Sequence, residues 1–204
     1  SERALKHGVS LRDVIGYVAG FRKTDATTPV VLMGYANPIE ALGVERFADM
    51  LKAAGGDGAL VVDYPPEEAH QLVGLFDARG LDTIFLISPT TSDERLKRVA
   101  TLGRGYLYYV SLKGVTGAAN IDLADVAARL DHIRSFTQLP VGVGFGIRDA
   151  ETARQIATCA DAVVIGSRLV QEMENSRAEE AAAKARAFLL GVRRAMDSLV
   201  GEAA

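Results

Sequence analysis

Two neighbouring stretches of the sequence are suited to hold an anion with main-chain N–H groups. Two apolar runs contain a glycine at or near their end and are followed by polar, helix-forming segments. They are PVGVGFG, residues 140–146, and DAVVIGS, residues 161–167. Glycine in a strand often marks a place where a ligand approaches the backbone. Gly146 and Gly166 leave amides unobstructed by a Cβ atom, and Ser167 adds a hydroxyl and its own N–H. The pattern predicts a phosphate site of the helix N-terminus kind; the alternative is that the glycines serve only strand packing and turns.

A glycine-flanked loop follows the tyrosine-rich run GYLYYVS, residues 105–111. In KGVTGAAN, residues 113–120, Gly114 and Gly117 bracket Thr116. The loop is long enough to fold over the end of a sheet, and glycines supply the hinges that such a movement needs. The spacing therefore predicts a lid that contributes to the same anion site.

Two further side chains stand near the expected ends of strands. The period of two along residues 105–111 puts Tyr106, Tyr108 and Val110 on one face. Tyr108 is expected either to present its hydroxyl to a ligand or to fill the interior with its ring. Asp63 ends the apolar run ALVVDYPP, where an ionised carboxylate is costly unless it is paired or hydrogen-bonded. It is expected either to be functional or to be an exposed acid that accepts from local amides.

Composition excludes several classes of partner. The 204 residues are 49% hydrophobic, which is ample for a core, and 23 Lys and Arg against 26 Asp and Glu give a net charge of −3. The charges are scattered, so the sequence predicts neither nucleic-acid nor anionic-membrane binding. No stretch has the form of a signal peptide or a membrane span, and one cysteine cannot form an internal disulfide. A soluble cytoplasmic protein is expected.

The residue types that usually ligate metals show no ligand spacing. His7, His70 and His132 are scattered over helical segments, and Cys159 is the single cysteine. Structural and catalytic zinc sites need clustered histidine, cysteine or acidic ligands. We therefore expect no metal site.

The candidate residues are positioned by alternating strands and helices. A single helix is predicted over residues 40–55, with Val44, Phe47 and Leu51 on one face. Ser92 is predicted to be the N-cap of a second helix. A long amphipathic helix is predicted over residues 178–200. The apolar runs between the helices lack polar alternation, as strands of a parallel sheet covered on both faces do. These runs are residues 29–35, 58–64, 82–88, 105–111, 140–146 and 161–167.

Strict alternation predicts an α/β fold, either doubly wound or closed as a barrel. Polar or glycine residues gather at nearly every strand end, and in a barrel these ends converge on one mouth, so we favour a (β/α)8 barrel. Eight units usually need about 250 residues, which leaves six predicted strands two short. Because the opening SERALKH has a helical pattern without a cap, we expect one barrel domain over residues 1–204 that lacks its N-terminal portion, with the first two strands upstream.

Read together, five segments resemble the tryptophan synthase alpha chain family: VVLMGYANP, GALVVDYP, GRGYLYYVSLKGVTGAAN, PVGVGFGI and DAVVIGSRLV. The resemblance implies a (β/α)8 barrel lyase that cleaves indole-3-glycerol phosphate to indole and glyceraldehyde 3-phosphate in a retro-aldol reaction. It implies no cofactor in this chain. Indole would pass to a beta chain that carries pyridoxal phosphate, within an α2β2 assembly.

The resemblance also implies roles for individual residues. It assigns phosphate binding to Gly117, Phe145, Gly146, Gly166 and Ser167. Supporting catalytic roles fall to Tyr108 beside the substrate, to Thr116 in the lid and to Asp63, while Asn37 and Pro65 correspond to surface that faces the beta chain. From the residues alone, Asn37 is equally a turn former before Pro38.

One departure bears on activity. The family's principal acid/base pair is a glutamate that ends the second strand and an aspartate in the loop after it, and both lie upstream of Ser1. General acid–base help is worth about a hundred- to ten-thousand-fold in rate, so we expect these 204 residues alone to turn over substrate negligibly. Two alternatives are a phosphate-binding barrel aldolase with Lys113 as a Schiff-base lysine, and a non-catalytic barrel module that only binds phosphate and a partner.

Overall fold

The predicted apolar runs all form strands. The computed structural model of the protein describes residues 2–111, 122–144 and 146–202. Each strand lies within its run and is shorter than it. In chain order, β1 to β6 are Val31–Gly34, Gly58–Val61, Asp82–Ile87, Leu107–Val110, Val141–Gly144 and Ala162–Val164.

Helices separate the strands, so the alternation predicted from the sequence is confirmed. The N-terminal α1 is short, as SERALKH suggested, and the C-terminal α10 covers the whole predicted amphipathic segment. In chain order, α1 to α10 are Glu2–Lys6, Leu11–Phe21, Ala36–Leu42, Val44–Ala53, His70–Asp77, Asp93–Leu102, Leu123–Arg134, Ala150–Ala157, Ser167–Glu174 and Ala178–Glu202.

The chain divides into two compact units. The first comprises Ser1–Leu86 with Lys97–Tyr106, and the second comprises Ile87–Leu96 with Leu107–Ala204. In the first unit, β1 pairs in parallel with β2, and β2 with β3. In the second, β4 pairs in parallel with β5, and β5 with β6. The parallel pairing follows from the helical crossovers, since parallel neighbours cannot be joined by a tight hairpin.

The core of the first unit lies between its strands and helices. Phe47 and Leu51 of α4 and Phe76 of α5 are almost completely buried, together with Ala59 on the helix-facing side of β2. The rings of Phe47 and Phe76 lie with centroids 6.1 Å apart. Burying one such side chain contributes about 1.5–3 kcal/mol, so this packing stabilises α4 and α5 against β2.

Two local features differ from the sequence predictions. The single helix predicted over residues 40–55 is two helices, because Gly43 has a φ of +92° that ends α3 and starts α4. Asn37, considered as a turn former before Pro38, lies with it in the first turn of α3.

Sequence reasoning also missed α2. This helix begins at a capping box, in which the Ser10 N–H donates to Asp13 Oδ2 at 2.8 Å and the Asp13 N–H donates to Ser10 Oγ at 3.3 Å. The serine-to-acid spacing of three residues was the available signal, with aspartate in place of the usual glutamate or glutamine.

Candidate phosphate site at the ends of β5 and β6

Strand register brings the two glycine turns to the same edge of the sheet. Gly144 of β5 pairs with Val164 of β6. Gly146 and Gly166 therefore each lie two residues beyond a matched pair, on neighbouring parallel strands whose backbones run about 4.8 Å apart. The sequence hypothesis that both turns lie side by side is consistent with this register.

Gly146 holds a backbone conformation that favours glycine. Its φ is +78°, in the left-handed region that residues with a Cβ atom rarely adopt. The turn leads into α8, whose first N–H groups are already engaged. Asp149 caps this helix, and its Oδ1 accepts from the Thr152 N–H at 2.8 Å. These hydrogen bonds hold the pKa of Asp149 below its usual range.

The start of α9 differs from that of α8, because no side chain in the described part of the protein caps it. Gly166 is its N-cap residue, and the first intrahelical bond runs from the Val170 N–H to the Gly166 carbonyl at 3.1 Å. The N–H groups of the first helical turn have no acceptor within the helix. Gly166 and Ser167 are both exposed. These donors are therefore positioned to bind an anion from solvent.

Gly166 serves no packing purpose that a larger residue would disturb. A Cβ atom added there would meet no heavy atom within 4 Å, and the φ of −114° suits any residue. The open space above Gly166 is what an approaching phosphate needs. This argues against the alternative that Gly166 only relieves crowding between strands.

Tyr108 lies flat against the backbone of β5. It pairs with Gly142, and its ring reaches along the neighbouring strand to Gly144. A Cβ atom on Gly144 would be 2.2 Å from the Tyr108 hydroxyl oxygen and 2.4 Å from Cε2. Tyr108 is 9% exposed, so most of the ring fills the interior while its hydroxyl reaches the level of the last residue of β5.

Ser111 connects the ends of β4 and β5, a role that sequence reasoning missed. Its N–H and its hydroxyl both donate to the Gly144 carbonyl, each at 3.1 Å. A serine directly after a buried strand was the available signal. The bond fixes the point from which the chain leaves β4 toward the predicted lid.

Several predicted residues lie outside the described part of the protein. They are Thr116 and Gly117 of the predicted lid, Phe145 between the two glycines of the β5 turn, and Lys113 of the aldolase alternative. Their roles stay predictions.

In the first unit, Asp63 holds the start of α3. Its Oδ1 accepts from the Ala36 N–H at 2.7 Å, and its side chain is exposed. This is the local-amide bonding considered as the alternative for Asp63. Asn37, the next residue of α3, is exposed, and Pro65 is half-buried just after the end of β2. Asp63 thus positions the helix that presents Asn37 beside the Pro65 segment.

A second bond links the same segments. The Tyr64 hydroxyl donates to Glu40 Oε1 at 3.3 Å, between the β2 end and α3. Burial and the nearby carboxylates raise the pKa of Tyr64, which keeps this donor protonated. Asp63 and Tyr64 together fix α3 against the chain that follows β2.

The described residues contain neither a metal-ligand cluster nor a membrane-spanning helix. Within residues 2–111, 122–144 and 146–202, no three histidine, cysteine, aspartate or glutamate side chains are grouped as a metal site would require. In the same ranges, no helix has both the length and the apolar character needed to cross a bilayer.

Comparisons with known proteins place the chain in a family. Residues 1–198 match the family described as tryptophan synthase alpha chain. The chain is 59% identical over 196 residues to the tryptophan synthase alpha chain of Herminiimonas arsenicoxydans, covering 96% of this chain and 74% of that protein. It is 60% identical over 198 residues to that of Cupriavidus metallidurans, covering 97% and 75%.

Solved structures agree with the sequence match. The alpha subunit from Legionella pneumophila str. Paris superposes with a TM-score of 0.87 at 40% identity, over 97% of this chain and 73% of that one. A chain of the tryptophan synthase α2β2 complex from Pyrococcus furiosus gives a TM-score of 0.79 at 33% identity, over 94% and 75%. The likeness confirms the predicted (β/α)8 barrel class, of which the described residues contribute six strands.

Proposed function

Because the chain belongs to the tryptophan synthase alpha chain family, we propose that it takes part in tryptophan biosynthesis as a carbon–carbon lyase that acts on indole-3-glycerol phosphate. The products are indole and glyceraldehyde 3-phosphate. The observation that supports this most directly is the pair of glycine turns at the matched ends of β5 and β6, one of which opens the uncapped helix α9. Such a site suits the phosphate group that anchors the substrate.

The cleavage divides into tasks that different residues perform. Breaking the bond between indole C3 and the glycerol side chain requires a proton at C3, stabilisation of charge at the ring nitrogen and removal of a hydroxyl proton. Gly146, Gly166 and Ser167 hold the phosphate, and Tyr108 lines the substrate pocket. Anchoring a remote group in this way uses binding energy to orient the bond that breaks.

The principal acid and base are proposed to lie outside these 204 residues. By the resemblance, the family's glutamate and aspartate correspond to positions upstream of Ser1, and Asp63 is engaged with the Ala36 N–H. The 204-residue chain alone then binds the phosphate ester but converts it at a negligible rate, since the missing general acid–base help is worth about a hundred- to ten-thousand-fold.

The partner is proposed to be a tryptophan synthase beta chain in an α2β2 assembly in the cytoplasm. The Pyrococcus furiosus relative is an α2β2 complex by its description. Asn37 and Pro65 supply the surface that faces the beta chain, and the bond from Ala36 to Asp63 orients that surface. The alpha chain needs no cofactor of its own, and pyridoxal phosphate belongs to the beta chain.

Titration with an indolylalkyl phosphate and a turnover assay with indole-3-glycerol phosphate test the proposal together. The 204-residue chain is expected to bind the ester saturably and to release no indole above the uncatalysed rate. The matching indolylalkyl alcohol, which lacks the phosphate, is the control and is expected to bind much more weakly. Equal binding of ester and alcohol would contradict the phosphate site, and rapid indole release would contradict the assignment of the acid and base.

A further inference from the structure

We infer that Arg168 is a positioning residue of the phosphate site, which holds the first turn of α9 in place against α10. The inference rests on the proposed function, because it concerns the N–H groups that bind the phosphate. It assigns a role to a side chain outside the glycines and Ser167. Arg168 directly follows Ser167, so any shift of its backbone moves the donors themselves.

The helix α9 is held mainly by its packing against α10. It has eight residues, none of which is buried, and no side chain among the described residues caps its start. Val170 and Met173 are 40% and 37% exposed. Isolated helices of this length are marginal in water, and most helical stability in proteins comes from packing. The position of the first turn therefore depends on how α9 is held against α10.

Arg168 makes two of these contacts at once. Its Nη2 forms an ion pair with Glu172, one turn further along α9. Its guanidinium carbon lies 6.0 Å from the centre of the Phe188 ring on α10. The planar guanidinium can stack on an aromatic face while it donates to a carboxylate in its own plane, which an ammonium group cannot do. Arg168 thus links the start of α9 to the long C-terminal helix.

The charge of Arg168 also acts on the start of α8. Asp149 caps α8, directly after the Gly146 turn, and the charge of Arg168 adds to the Thr152 hydrogen bonds that lower the pKa of Asp149. The same arginine therefore acts on the helix that follows β5 and belongs to the helix that follows β6. Since α10 packs against both α8 and α9, the contact of Arg168 with Phe188 joins the start of α9 to the helix that supports both halves of the phosphate site.

The test is a titration with glycerol 3-phosphate, followed through the backbone amide resonances of Gly146 and Ser167. In the unchanged chain both amides are expected to shift saturably. Arg168→Met is expected to weaken the affinity at least fivefold while the chain stays folded, because the donors are no longer pre-positioned. Arg168→Lys is expected to recover less than half of this loss on a free-energy scale, since it keeps the charge but loses the planar stacking.

Arg193→Met is the matched control. Arg193 forms an ion pair of the same spacing with Asp197 on α10, with Nη2 and Oδ1 2.6 Å apart. Its loss is expected to leave the glycerol 3-phosphate affinity unchanged. Phe188→Leu removes the ring under Arg168 and is expected to weaken binding at least threefold, and it serves as the test if Arg168→Met does not fold.

The outcomes separate the inference from the proposed function. If the unchanged chain binds glycerol 3-phosphate and Arg168→Met or Phe188→Leu binds it equally well, the inference is overturned and the phosphate site stands. If Arg193→Met weakens binding as much as Arg168→Met, the effect is a general loss of stability and the inference is again overturned. If the unchanged chain shows no shift at Gly146 or Ser167, the phosphate site itself is wrong, and the inference with it.

Discussion

Gly144 of β5 is the position at which a single methyl group would test the geometry beside the phosphate site. In Gly144→Ala, the added Cβ would lie 2.2 Å from the Tyr108 hydroxyl oxygen and 2.4 and 2.6 Å from two atoms of its ring, whereas real Cβ contacts almost never fall below 3.0 Å. Because the ring is rigid and largely buried, it has to move as a whole. We expect the Tyr108 ring to be displaced by about 1 Å, so the substitution overpacks the interior.

The magnitude follows from two opposing effects. Overpacking of this kind costs about 1–3 kcal/mol, while replacing glycine by alanine restricts the unfolded chain and returns about 0.4–1 kcal/mol. The expected net loss is about 1–2 kcal/mol in the free energy of unfolding, measured by urea denaturation. Gly166→Ala is the control, since nothing lies within 4 Å of its added Cβ, and its expected change is below about 0.5 kcal/mol.

A double-mutant cycle identifies Tyr108 as the cause. Tyr108→Leu removes the ring atoms that the new methyl group would meet, so the two changes together should cost less than the sum of each alone, by about 1 kcal/mol. A Gly144→Ala variant as stable as the unchanged chain would refute the contact. Additive effects in the cycle would refute the assignment of the cost to the Tyr108 ring.

Three further predictions concern stability and association. Thr83 of β3 is 2% exposed, and its hydroxyl has no hydrogen-bond partner among the described residues. Thr83→Val should therefore raise the free energy of unfolding, measured by urea denaturation, by about 1 kcal/mol. A loss of stability would contradict this. The hydrogen bonds from Thr28 and Thr27 lower the pKa of Asp25 to about 2. The contribution of ionised Asp25 to the free energy of unfolding is complete above pH 4 and is lost as the pH falls toward 2. Asp25→Asn should therefore flatten the decline in thermal stability over that pH range. An unchanged decline would contradict this. Met33 is 60% exposed on β1, which lies at one edge of the sheet formed by the described strands. Met33→Lys should therefore reduce concentration-dependent association in sedimentation experiments; equal association of the two chains would contradict the role of this edge.

Strand positions could be predicted from the sequence because their signals are local. For β5 and β6, a short apolar run that ends near a glycine or a polar residue was enough to predict where the strand lies. The same holds for Ser92, whose hydroxyl accepts from the Arg95 N–H at 3.4 Å, as its predicted N-cap role requires. Local chemistry was likewise enough to single out Gly146 and Gly166.

Contacts between distant segments could not be predicted in the same way. The bond from the Ala36 N–H to Asp63 joins residues 27 positions apart, and the Tyr108 ring meets Gly144 only because β4 and β5 pair in one register. Arg168 gives no sequence signal, since its role depends on where α10 places Phe188. The Gly43 break was missed because a positive φ depends on the packing of both flanking helices.

The most direct test of the phosphate site is a crystal structure of the chain with glycerol 3-phosphate bound. The phosphate oxygens are expected at hydrogen-bonding distance, about 2.7–3.2 Å, from the N–H groups of Gly146 and Ser167. A phosphate bound elsewhere, or N–H groups at these two positions already donating to carbonyl groups of the chain, would contradict the account.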